Sequence, residues 1–118
     1  MKKEVLHIAA EAAPFAKIGG LGDVVGSLPI ALNRLRSRFQ ASIVIPCYPI
    51  INKKRFGLKK IKAIEIALWD KRYPIEVWQT TNQGVNCYFL ENREFLGGAE
   101  IYLTEETNIK EQTRRFQF

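Results

Sequence analysis

The sequence predicts an α/β fold built on a mostly parallel sheet with flanking helices. Three observations carry that reading. A short apolar run at residues 5–10 is bounded by charge on both sides; a glycine-rich turn at 19–22 opens into a helical apolar repeat; a second apolar run fills residues 41–46. Strand, helix and strand in that order imply a right-handed βαβ crossover, which makes the two strands parallel.

The chain has 118 residues, enough for one domain with a hydrophobic core. It is too short for two domains facing each other across a cleft. Its apolar share of 47% and charged share of 25% are those of an ordinary folded chain, which excludes disorder throughout. Residues 5–10 read as a fully buried strand, too short for a membrane span and for the apolar stretch of a secretory signal. Residues 11–17 form a connection, with Pro14 against regular structure.

A helix is expected to begin near Leu21 to Asp23. Leu21, Val25, Leu28, Leu32 and Leu35 are spaced by four, three, four and three, so they fall on one helical face. Pro29 lies inside the pattern, removes a backbone donor and predicts a kink. Arg34, Arg36 and Arg38 suit the C-terminal end. After the strand at 41–46, residues 47–58 read as a loop, broken by Pro49, Asn52 and Gly57. Residues 60–69 and 75–80 read as paired strands, with Pro74 just ahead of the second. Residues 85–90 form another strand after the turn Asn82-Gln83-Gly84. Residues 91–102 read as a loop around Gly97-Gly98. Asn108 and Glu111 have the spacing of a capping box, so a helix is expected from Ile109. A helix that has barely begun, closing on Phe116 and Phe118, predicts a chain cut rather than completed.

Net charge is +6. It concentrates at Arg34 to Arg38 and at Lys53, Lys54, Arg55, Lys59, Lys60 and Lys62. A basic module for RNA or DNA would use such a cluster. No aromatic RNA-binding pattern is interleaved with it, so a solvated face is the favoured reading and no nucleic-acid partner is expected. The two cysteines, Cys47 and Cys87, lack metal-ligand spacing. They fit a reducing compartment, although the sequence leaves a single disulfide open. A cytoplasmic protein is the default, with no membrane partner and no metal site.

The richest chemistry lies in Lys17-Ile18-Gly19-Gly20-Leu21-Gly22-Asp23, between the first strand and the helix. Ligands of open α/β sheets bind at that edge of the strands. Glycines let the backbone approach a ligand, and the helix N-terminus favours a phosphate. Lys17 adds a full charge for a pyrophosphate. Asp23 either accepts hydrogen bonds from sugar hydroxyls or simply occupies the first helical turn. The segment fails the G-x-G-x-x-G pattern, because Val25 stands at the third position, and it carries no G-x-x-x-x-G-K-[ST]. On spacing alone, ligand binding and a plain strand-to-helix turn stand level.

The segment from Glu11 to Pro29, Glu-Ala-Ala-Pro-Phe-Ala-Lys-Ile-Gly-Gly-Leu-Gly-Asp-Val-Val-Gly-Ser-Leu-Pro, closely resembles the N-terminal signature of bacterial glycogen synthases and plant starch synthases. Ile18 stands where that family usually has threonine or valine. Ile45-Pro46-Cys47-Tyr48-Pro49 is similar to the family's second strand and its following turn. Tyr88-Phe89-Leu90-Glu91-Asn92 is similar to a later strand, and Arg115-Phe116 to the start of the next helix. Arg38-Phe39-Gln40 departs from the usual Gly-His before the second strand. The resemblance spans nearly the whole chain but only the first part of a family member.

The resemblance implies a Rossmann-like sheet forming an incomplete N-terminal domain, residues 1–118, of a GT-B enzyme. It implies a retaining glucosyltransferase moving glucose from ADP-glucose, or sometimes UDP-glucose, to an α-1,4-glucan in glycogen or starch synthesis. No cofactor or metal is expected. By resemblance, Lys17 and the backbone of Gly19 and Gly20 approach the donor's diphosphate or glucosyl group, and Asp23 lies near the acceptor or the glucose hydroxyls. The main catalytic residues are expected beyond Phe118, in the missing C-terminal part of the synthase, so this stretch alone is expected to be inactive. A plant source would place it in the plastid stroma. His7 is expected to be a packed strand histidine, Glu11 to hold the loop by hydrogen bonds, and Phe95 falls near a family aromatic position. Two alternatives remain at this level: the basic nucleic-acid module, and a free-standing interaction remnant docking through Ile109–Phe116.

Overall fold

A computed structural model describes residues 2–35 and 38–96. The elements are β1 (Lys3–Ile8), α1 (Gly20–Arg34), β2 (Phe39–Pro46), β3 (Lys59–Leu68), β4 (Lys71–Asn82) and β5 (Val85–Glu91). They form one five-stranded sheet in the order β1-β2-β5-β4-β3. β1 pairs parallel with β2, in register Val5 to Ala41, and β2 pairs parallel with β5, in register Ile43 to Cys87. β3, β4 and β5 form an antiparallel meander. The crossover from β1 to β2 is parallel as expected, but the sheet is mixed rather than mostly parallel, with two parallel and two antiparallel pairings among its five strands. The expected helix from Ile109, the glycine pair at 97–98, and Phe116 and Phe118 lie outside the described residues.

The core sits between α1 and one face of the parallel strands. Val25 of α1, Phe15 of the preceding loop, Ile43 and Ile45 of β2, and Cys87 and Phe89 of β5 are all buried in it. Alternation explains the rest of β2: Ala41, Ile43 and Ile45 point into the core and their neighbours do not. Asn33 ties the far end of α1 to β2. Its Oδ1 accepts from the Ala41 N–H at 2.6 Å and its Nδ2 donates to the Ala41 carbonyl at 3.2 Å.

Three expectations need correction. β1 is not fully buried: among the described residues it is an edge strand, with Val5 and His7 half-buried while Leu6 and Ile8 are 55% and 78% exposed. The buried face of α1 is not the leucine stripe. Gly22, Val25 and Pro29 are buried, whereas Leu21, Leu28 and Leu35 are exposed. The cause is steric: the residues with little or no side chain let the helix lie close to the segment beneath it. Pro74 lies inside β4 rather than ahead of it, opposite Glu65. Its carbonyl accepts from Asn92 Nδ2 at 2.8 Å, on the side away from β3. The absent N–H falls on that same side, so no hydrogen bond to β3 is lost.

α1 continues through Pro29 as one helix and ends at Arg34. The β4–β5 turn uses Gln83 (φ 48°) and Gly84 (φ 82°), the left-handed pair of a two-residue hairpin. Asn52 Oδ1 accepts from the Arg55 N–H at 2.9 Å, closing a turn in the loop after β2.

Both thiols are free and buried, so the structure forms no disulfide between them. Burial pushes Cys87 up to about 11, and burial with the Glu91 carboxylate does the same for Cys47. The thiolate is the reactive species. Neither cysteine is expected to react with iodoacetamide at pH 8 in the folded chain, and both are expected to react in denaturant. Mass spectrometry counts the adducts, and a native adduct would contradict the burial.

Candidate functional site

The loop that joins β1 to α1 is anchored from below and open above. Phe15 is its anchor, packed edge-on against Phe56 and Phe89, each at 5.0 Å between ring centroids. Tyr48, from the turn after β2, donates its hydroxyl to the Ala10 carbonyl at 2.6 Å. The Ala13 N–H donates to the Gly22 carbonyl at 2.9 Å, stitching the loop to the first turns of α1.

Glu11 is the centre of this support. Its side chain is buried, with 1% of the residue exposed. Oε2 accepts from the Ile18 N–H and Oε1 from the Gly22 N–H, each at 2.8 Å. The first N–H groups of a helix have no partner within it, and a carboxylate there is favourable. Glu11 thus holds the loop, as expected, rather than facing outward.

The structure brings Lys17 and Asp23 together across the loop, with Nζ and Oδ1 at 3.0 Å and side chains 46% and 60% exposed. A pair this exposed is worth about 0–1 kcal/mol, so a ligand competes with it easily. Gly19 is the N-cap, with φ −139° and no side-chain cap. That extended conformation is open to any residue. A Cβ on Gly19 would come no nearer than 3.9 Å to Glu11 Oε1, and one on Gly20 would meet none of the described residues within 4 Å. Gly22 and Gly26 differ: a Cβ would sit 2.9 Å from Lys17 Cγ in the first case and 2.6 Å from the Ala13 carbonyl oxygen in the second. The sequence points to Gly19 and Gly20 for ligand approach; contact instead singles out Gly22, a member of the same glycine turn, and Gly26, to which the sequence assigned no role. The spacing of Gly22 and Gly26, four apart on one helical face, was the available signal.

The other sequence candidates lie elsewhere. His7 is half-buried in β1, and its Nδ1 has no hydrogen-bond partner among the described residues. Phe95 is buried against Tyr73, 4.8 Å between ring centroids. The basic cluster is dispersed. Lys53 pairs with Glu91 at 2.6 Å and lies 4.4 Å over the Trp78 ring, while Lys60 reaches Glu76 at 3.6 Å. No helix among the described residues is long and apolar enough to cross a membrane.

A family profile described as the starch synthase catalytic domain matches residues 4–118. The chain belongs to that family. A glycogen synthase of Syntrophotalea carbinolica is 33% identical over 115 residues, covering 97% of this chain and 23% of that protein. Glycogen synthase 2 of Geobacter sulfurreducens is 34% identical over 116 residues, covering 98% and 24%. The chain therefore spans about a quarter of the length of these relatives. Among solved structures, the catalytic domain of starch synthase IV from Arabidopsis thaliana, bound to ADP and acarbose, superposes with a TM-score of 0.75 at 32% identity, covering 87% of this chain and 22% of that one. The fold of this starch synthase family member is thus the opening α/β sheet of a GT-B catalytic domain.

Proposed function

We propose that this chain forms one wall of the donor site of a retaining glucosyltransferase that moves glucose from ADP-glucose to an α-1,4-glucan. Lys17 and the backbone of Gly19 and Gly20 take the diphosphate or glucosyl group. Asp23 receives sugar hydroxyls once Lys17 turns from it to the ligand. Fixed cations and N–H dipoles stabilise the charge that develops on a departing diphosphate. The nucleotide and the glucan are the partners, in the cytoplasm or, in a plant, the plastid stroma. Transfer itself needs the opposite wall, because both reactants must be held in register.

One observation carries the reading. Contact explains Gly22 and Gly26, yet none of the described residues fills the space beside Gly20. A bare backbone at a helix N-terminus, next to a lysine, is what a close-lying phosphate or sugar requires. The starch synthase IV structure, with ADP bound, supports the nucleotide; the glycogen synthase relatives support the glucan product.

Titration of the chain with ADP-glucose, followed by amide NMR, tests this. Shifts are expected at residues 17–23 and are expected to vanish in Lys17→Ala. A folded chain with no shifts, or shifts that Lys17→Ala leaves intact, would overturn donor binding by this loop.

A further inference from the structure

We infer that Glu11 is the positioning residue of the loop: its buried carboxylate sets where the Lys17 side chain lies. The inference rests on the donor reading above for its functional consequence, but its geometry is independent of any ligand.

A buried carboxylate is costly unless every oxygen finds a donor. Glu11 meets this with two backbone N–H groups that flank the lysine's own loop, at Ile18 and at Gly22. One oxygen fixes the residue immediately after Lys17. The other fixes the helix residue that Lys17 covers, since a Cβ on Gly22 would meet Lys17 Cγ at 2.9 Å and Glu11 Cδ at 3.3 Å. The lysine stem and the glutamate carboxyl therefore lie side by side on the bare backbone of Gly22. An ammonium near a helix N-terminus is disfavoured by the helix dipole. The Glu11 charge below and the Asp23 carboxylate beside it, 3.0 Å from Nζ, offset that penalty. Neither hydrogen bond leaves the fold short of an anchor if it is lost, because Phe15, Tyr48 and the Ala13 N–H hold the segment independently.

Glu11→Gln is the informative variant. It keeps size and one acceptor, but turns an amide NH2 toward a backbone N–H. Three readouts are compared with the parent chain: hydrogen exchange at Ile18 and Gly22, the NOE between the Lys17 side chain and Gly22 Hα, and ADP-glucose affinity. The expected result is faster exchange at those two amides by about tenfold to a hundredfold, the size of one charged hydrogen bond. Loss of the NOE and at least about tenfold weaker donor binding are expected with it, while β2 and β5 amides stay protected. Retention of the NOE overturns the inference. So does loss of the NOE with donor affinity unchanged. If the parent chain itself gives no donor shifts, the donor reading falls, and the NOE alone decides whether Glu11 places Lys17. Glu11→Asp, one methylene shorter, is expected to restore neither bond in full and to resemble Glu11→Gln in the NOE.

Discussion

Gly26→Ala is expected to lower the stability of the chain by about 2 kcal/mol, although alanine favours helix over glycine by about 1 kcal/mol. The new Cβ would stand 2.6 Å from the Ala13 carbonyl oxygen and 3.1 Å from its nitrogen. Those are backbone atoms. Ala13 cannot retreat freely, because its N–H is held by the Gly22 carbonyl at 2.9 Å and its neighbour Ala12 is fully buried. Overpacking against a fixed backbone therefore outweighs the gain in propensity. Urea denaturation reads the effect as a lower midpoint with an unchanged slope. A midpoint equal to or above that of the parent would mean that the segment slides away at no cost.

Gly22→Ala is expected to act on the site more than on the fold. Its Cβ would meet Lys17 Cγ at 2.9 Å, Lys17 Cβ at 3.2 Å and Glu11 Cδ at 3.3 Å. These are side-chain atoms close to their own backbones, so relief comes by swinging Lys17 off the loop or breaking the Glu11 bond to the Gly22 N–H. The helix-propensity gain of about 1 kcal/mol cancels much of the strain, so the midpoint should move little. Donor binding should fall at least about tenfold, the scale of a lost charged contact. A double-mutant cycle makes this specific: once Gly22→Ala is present, Lys17→Ala should weaken binding little further. Additive losses would show that Lys17 keeps its place despite the new methyl.

These two glycines also show where the sequence was readable and where it was not. The apolar runs at 5–10 and 41–46 located β1 and β2, and the breaker residues Gln83 and Gly84 located the β4–β5 turn, because both signals are local. The burial of an element is not local. β1 read as fully buried because an apolar run looks the same on an edge as in the centre of a sheet. α1 read as leucine-faced because periodicity reports hydrophobicity, whereas the close approach over Ala13 is set by how little Gly22, Gly26 and Pro29 project. Pro74 was excluded from a strand by a general rule, and the rule was met by an exception: the missing donor faces Asn92 rather than β3. At the loop, Lys17, Gly19, Gly20 and Asp23 were visible as a motif. The supporting Glu11 bonds were expected, but the Tyr48 contact, 38 positions from Ala10 along the chain, had no local signature.

Among the described residues the sheet order leaves β3 with a neighbour on one side only, β4. A free strand edge is a template for another chain to pair with. Lys59, Lys60 and Lys62 open this strand and are exposed. A second molecule laying its own β3 alongside in parallel register would set lysine against lysine, and like charges placed opposite each other destabilise a ladder. Half of the basic cluster, Lys59, Lys60 and Lys62, thus guards a strand edge against aggregation, while Lys53, Lys54 and Arg55 sit apart from it in the loop after β2.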